Sequence, residues 1–140
     1  VYTAYVGYIP ERKVGVAVLA NASGYLMSHI GMYALSQLLG ADPETLPFIK
    51  TDRILSRLQG EYETYMGTMK ANVKKKGDFL YIEIRDRHTE EIIPLVTEKL
   101  KEDRAIFYTF SGGRKYTAEF NIREDEIELI YERYKLMKKI

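Results

Sequence analysis

The sequence predicts an α+β fragment, an antiparallel hairpin plus a helix, followed by a small all-β antiparallel barrel. Three observations predict it. Charge is divided sharply: of 21 Lys and Arg and 20 Asp and Glu, only Glu11, Arg12 and Lys13 lie in residues 1–41. That charged tip separates two uncharged arms rich in Tyr and Val, and residues 25–39 then carry apolar side chains at helical spacing. Beyond residue 60, short segments alternate apolar and polar residues between turn signals. Two compositions in one chain imply two differently buried units, expected at 1–41 and 51–140 with a linker at 42–50.

Residues 2–9 (YTAYVGYI) and 14–20 (VGVAVLA) read as strands joined by a Pro-Glu-Arg-Lys loop. Val14, Val16 and Val18 share one face of the second arm, and Leu19 lies on the other. Strands uncharged on both faces belong inside a sheet covered on both sides. A lone hairpin is marginal in water. The reading therefore expects the arms to be interior strands of a larger sheet whose remainder lies outside this sequence, which starts at Val1. The charged tip marks where that sheet meets water.

After the turn Asn21-Ala22-Ser23-Gly24, the helical stripe is Met27, Ile30, Ala34, Leu35 and Leu38, with Gly40 as a stop. The run from Val14 to Ala41 has no charged side chain. Asn21, Ser23, Gly24 and Ser28 interrupt it and its first third is strand-like, so no membrane-spanning helix is expected. Pro43 and Pro47 make residues 41–50 read as a stiff linker. Residues 51–60 then read as a short helix capped by Thr51 or Asp52.

The barrel segments follow in order. Met69, Ala71 and Val73 share a face, as do Leu80, Ile82 and Ile84. The same alternation groups Ile106, Tyr108 and Phe110, then Tyr116, Ala118, Phe120 and Ile122, then Ile127, Leu129 and Tyr131. Residues 61–66 and 91–96 have strand composition with less regular alternation. Turns are expected at KKKGD, SGGR and REDE. Seven or eight short strands over some 80 residues suit a closed barrel filled by side chains.

Composition sets limits on function. A net charge of +1 gives no overall argument for nucleic acid or an anionic membrane. The absence of cysteine excludes a disulfide scaffold and a thiolate metal site. Abundant Lys, Arg and Glu without Cys suits a heat-stable protein. No secretory signal is visible, which favours a cytoplasmic location.

Individual candidates each have a plainer structural reading. His29 sits on the helix near Met32 and Tyr33, where a packed or surface histidine is expected. His88 has Asp86 and Glu90 nearby, but one histidine with flexible carboxylates is a weak ligand set, and no metal is expected. Ser111, Gly112, Gly113, Arg114 and Lys115 offer amides and cations to an anion, but read as a hairpin turn. Lys74, Lys75 and Lys76 read as a solvated turn and not as a nucleic-acid patch. Tyr108, Tyr116 and Tyr131 fall on expected inward faces, where they fill space or, alternatively, line a ligand cavity.

One pattern supports a resemblance. Tyr8-Ile9-Pro10-Glu11, Val14-Gly15-Val16, and Val18-Leu19-Ala20-Asn21 with Ser23 resemble the C-terminal hairpin of serine β-lactamase-like enzymes. That group includes penicillin-binding proteins and related serine peptidases and esterases. The resemblance implies that the hairpin forms the last strands of a central sheet and that a C-terminal helix packs on it. Residues 51–140 resemble the lipocalin-like barrel appended to some archaeal and bacterial peptidases of this group, with Leu58, Gly60, Glu61 and Tyr62 as the best motif. The resemblance implies a role in oligomer assembly and in covering a catalytic domain.

The group's reactive equipment is not in this sequence. None of Ser23, Ser28, Ser36, Ser56 and Ser111 has Lys three residues on, and Tyr-x-Asn is absent. The group's third motif, Lys-Thr-Gly or His-x-Gly, belongs before the hairpin. His29-Ile30-Gly31 matches it by letter but follows the hairpin on a helix. The chemistry needs a serine deprotonated by a neighbouring base beside an oxyanion hole. No catalytic, cofactor-binding or metal residue is therefore assigned.

The expected function is that of a non-catalytic C-terminal portion. It would complete a Ser-Lys-Tyr hydrolase together with a missing N-terminal catalytic segment, and form a homo-oligomer. A peptide substrate belongs only to that parent enzyme, and neither nucleic acid nor membrane is expected as a partner. Two alternatives stand beside it. One is a stand-alone assembly module whose hairpin pairs with another copy. The other is a lipocalin-like carrier of a small apolar ligand.

Overall fold

The computed structural model describes residues 1–85 and 90–139. The chain divides into two compact units, Val1–Lys50 and Thr51–Ile140.

In the first unit, β1 (Thr3–Ile9) and β2 (Val14–Ala20) pair antiparallel, from Thr3 opposite Ala20 to Ile9 opposite Val14. The tip is a 3-10 turn at Pro10–Arg12, which Lys13 closes by donating its N–H to the Pro10 carbonyl at 3.1 Å. The helix α1 (Met27–Leu38) packs on one face of this hairpin. Close approach depends on Gly31, where a Cβ would stand 2.2 Å from the Tyr5 ring. The other hairpin face is open, and Val6, Tyr8 and Leu19 point from it into solvent. Within this unit, α1 is the layer that covers the two-stranded sheet.

Two expectations about helices are corrected. Met27, Gly31, Leu35 and Ser36 form the buried face of α1, whereas Ile30 and Leu38 are exposed. The stripe is rotated because tiny Gly31 and Ser36, which carry little hydrophobic signal, sit at the contact. The second helix, α2 (Pro47–Leu58), begins before Thr51, and neither Thr51 nor Asp52 caps it. Proline fits the first helical turn, where its missing N–H costs nothing. Residues Pro43–Thr45 form a 3-10 turn, with the Asp42 carboxylate accepting from the Glu44 N–H at 3.0 Å.

The second unit is a closed eight-stranded barrel. Its strands are β3 (Gly60–Glu63), β4 (Lys70–Lys76), β5 (Phe79–Arg85) and β6 (Glu90–Leu100). They continue with β7 (Arg104–Ser111), β8 (Arg114–Ile122), β9 (Ile127–Tyr131) and β10 (Tyr134–Lys138). Every neighbour is antiparallel and consecutive, and β10 returns to β3 to close the ring. Closure leaves no free strand edge. The strand β10 carries no alternating apolar signal in the sequence, because Leu136 is its only fully buried residue, set between lysines.

The interior is packed. Tyr62, Phe107 and Phe120 meet edge to face, at 5.9 Å for Tyr62–Phe120 and 5.6 Å for Phe107–Phe120. Ala71, Ala105 and Ala118 leave room for these rings. Leu55 and Leu58 of α2 join the same cluster and fill one end of the barrel. The last turn of α2 is held by two donors: the Tyr62 hydroxyl on the Leu58 carbonyl (2.7 Å) and Lys138 Nζ on the Arg57 carbonyl (2.6 Å). Burial pushes the Tyr62 phenol well above its ordinary pKa. Burial and the nearby Arg57 lower the Lys138 pKa.

The phase of β7 also needs correction. Ala105, Phe107 and Thr109 point inward, while Ile106, Tyr108 and Phe110 face outward. Register dictates this: Ala105 lies opposite Phe120 and Phe107 opposite Ala118, and opposed residues share a face.

Candidate assembly surfaces

Each unit presents an apolar face to solvent. On the barrel it arises from β6 and β7. Ile93 and Leu95 fill the interior, so Ile92, Pro94 and Val96 must point out. Tyr108 and Phe110 point out from β7. Val96 stands opposite Tyr108, and the Tyr108 and Phe110 rings meet edge-on at 5.5 Å. Ile92 is 60% exposed and Phe110 66%. At the border of the strip, Lys115 Nζ lies 4.5 Å over the Tyr108 ring and pairs with Glu98 at 2.9 Å. An aromatic and aliphatic centre with a charged rim is the anatomy of a protein–protein contact.

Elsewhere the barrel surface mixes ion pairs with exposed Phe79, Tyr65 and Met66. Lys74 pairs with the nearly buried Glu83 at 2.7 Å, Lys139 with Glu63 at 3.0 Å and Lys135 with Glu128 at 2.8 Å. The bond to Glu63 raises the pKa of Lys139. Across β7 and β8, Arg104 pairs with Glu119 at 2.7 Å. On β6 and β7 the outward apolar side chains lie side by side on two paired strands. On the first unit, the open hairpin face carries Val6, Tyr8 and Leu19, with Tyr2 at its margin.

The residues weighed from sequence are dispersed. The His29 ring stacks on Phe48, with centroids 4.0 Å apart. Ile30 and Gly31 follow it on α1, so this His-x-Gly string contributes to helix packing. Asp86 and His88 lie outside the described residues, and Glu90 opens β6. Among the described residues, no three His, Asp or Glu side chains form a metal-binding group. Ser111 and Arg114 pair across a two-residue turn in which Gly112 and Gly113 both have positive φ, the requirement of a tight hairpin. Lys74 and Lys75 are engaged by Glu83 and Asp52. Tyr131 is buried and Tyr116 packs partly against the core, whereas Tyr108 belongs to the outer strip. No helix among the described residues is long and apolar enough to cross a membrane.

The outer strip was missed in the sequence because both phases of residues 106–110 are apolar. The available signal was the pairing with β8, whose alternation is unambiguous: Ala118 and Phe120 inward force Phe107 and Ala105 inward.

The chain therefore consists of a closed barrel and a hairpin–helix unit, each with an exposed apolar face. The chain belongs to the Pab87 octamerisation domain family, whose profile matches residues 43–137. Among solved structures, it is similar to the octameric penicillin-binding protein homologue from Pyrococcus abyssi. The two share 52% identity and a TM-score of 0.85, over 98% of this chain and 31% of that one. The chain thus spans less than a third of that relative's length. No curated protein sequence matches it.

Proposed function

We propose that this chain is the assembly portion of a penicillin-binding-protein-like hydrolase. The β6–β7 strip joins barrels of neighbouring copies into a homo-oligomer, and the hairpin with α1 completes the sheet of an N-terminal catalytic segment. The observation that carries the assembly role is the strip of exposed Ile92, Val96 and Phe110 with half-buried Tyr108 on a barrel of an octamerisation family. An apolar patch rimmed by ion pairs is expected at a subunit contact. Support for the sheet role comes from the open hairpin face and from the likeness, along 98% of the chain, to a longer penicillin-binding protein homologue. The barrel then acts in assembly and in covering the catalytic domain, and cleavage of peptides belongs to the parent enzyme.

Hydroxyl-radical footprinting tests the contact. Tyr108 and Phe110 should oxidise slowly in concentrated protein and faster on dilution, whereas Tyr65, which is 91% exposed, should react alike in both. Equal reactivity of Tyr108 and Phe110 at all concentrations contradicts the proposed interface.

A further inference from the structure

The two ends of the barrel differ. Leu55 and Leu58 fill one end. The other end opens into a recess of about 260 Å³. Its walls are the outermost inward positions of the strands: Met69, Ile84, Glu91, Tyr116, Tyr131 and Tyr134. Ser111 and Glu132 complete the rim. Glu91 is the exposed, charged member of this outermost layer. It lies opposite Ile84, on the same face of β6 as buried Ile93 and Leu95, so its carboxylate is set toward the mouth.

Two carboxylates, Glu91 and Glu132, line the recess, and Arg133 offsets part of the charge of Glu132. Neither Glu91 nor Glu132 has an ion-pair partner among the described residues. Both bear on Tyr131: burial and these carboxylates raise its phenol pKa. Tyr131 is only 7% exposed and lines the recess. Among the described residues its hydroxyl has no hydrogen-bond partner and no fully buried side-chain polar atom lacks one, so this hydroxyl reaches the recess. Arg133 lies over the Tyr134 ring at 5.4 Å but is not part of the recess wall.

We propose that this mouth binds an organic cation, a guanidinium or ammonium group on a short aliphatic stem. Two carboxylates neutralise the head, tyrosine faces attract it through their quadrupoles, and Met69 and Ile84 meet the stem. The lone Tyr131 hydroxyl accepts one of its N–H groups. A recess this small takes a head group and excludes the long apolar ligands expected of a carrier barrel. The cation has two possible sources, a free small molecule or an arginine side chain of a peptide.

The test is a titration of the full chain, with 13C-labelled tyrosine rings followed by NMR. The probes are n-butylguanidinium, its neutral analogue n-butylurea, and Nα-acetyl-arginine amide. Butylguanidinium should give saturable shifts at Tyr116 and Tyr131 and none at Tyr8 or Tyr65. Butylurea should give none. The double variant Glu91→Gln/Glu132→Gln should weaken binding about tenfold while leaving the remote tyrosine resonances in place. Binding of the arginine amide as well assigns a peptide side chain, and binding of butylguanidinium alone assigns a free cation. Absence of saturable shifts with butylguanidinium, equal binding of butylurea, or an unchanged affinity in the double variant overturns the proposal.

Discussion

Phe120 has no exposed surface and touches both Tyr62 and Phe107 ring to edge, so it joins opposite walls of the barrel. Phe120→Ala removes that centre, and the surrounding strands, closed into a ring, have little freedom to collapse on the void. The expected loss is about 3–5 kcal/mol, read by chemical denaturation. Tyr62 supplies a pH dependence. Its ordinary phenol pKa is 10.0, and burial raises it in the fold. Below pH 10 both folded and unfolded states hold the proton. Above it the unfolded chain loses the proton while the fold keeps it, so stability falls as pH rises, by about 1.4 kcal/mol per unit for this group. Tyr62→Phe should flatten the alkaline slope. At neutral pH it should cost about 1 kcal/mol for the lost bond to the Leu58 carbonyl. Denaturation midpoints of both proteins from pH 8 to 11 check this. An identical alkaline slope would assign the titration elsewhere.

At the scale of the element, the junction of α2 and β3 turns on Gly60. Its φ of 139° is closed to ordinary side chains, and a Cβ would sit 2.7 Å from the Lys138 side chain. Gly60→Ala should therefore strain the turn and displace the lysine that caps α2. A loss of about 1–2 kcal/mol is expected in thermal unfolding. The legibility of elements in the sequence followed the contrast between their two faces. Strand β8 was readable because Ala118, Phe120 and Ile122 alternate with Thr117, Glu119 and Asn121. Strand β7 carries apolar residues in both phases, so its alternation held no direction until its pairing with β8 fixed it. Strand β10 shows only Leu136 fully buried and was invisible to periodicity. The start of α2 was hidden by Pro43 and Pro47, which read as linker although proline suits a first helical turn. The contact face of α1 was obscured because Gly31, chosen for closeness to Tyr5, adds nothing to a hydrophobic stripe.

For the whole molecule, the division of charge between residues 1–41 and the rest was the most informative sequence feature, because a contiguous apolar face calls for something to cover it. It pointed to a hairpin with an unmet apolar face, and Val6, Tyr8 and Leu19 are exposed on that face. The outer strip of the barrel was not legible, because it depends on which way β7 faces. Association through that strip is the central claim, and sedimentation velocity over a concentration series tests it most directly. The intact chain should sediment as a multimer that dissociates on dilution. The variant Ile92→Glu/Phe110→Glu places charges at the centre of the strip. It should remain smaller at every concentration while keeping the thermal midpoint of its barrel. A parent chain that is monomeric throughout, or a folded variant that assembles as its parent does, would contradict the account.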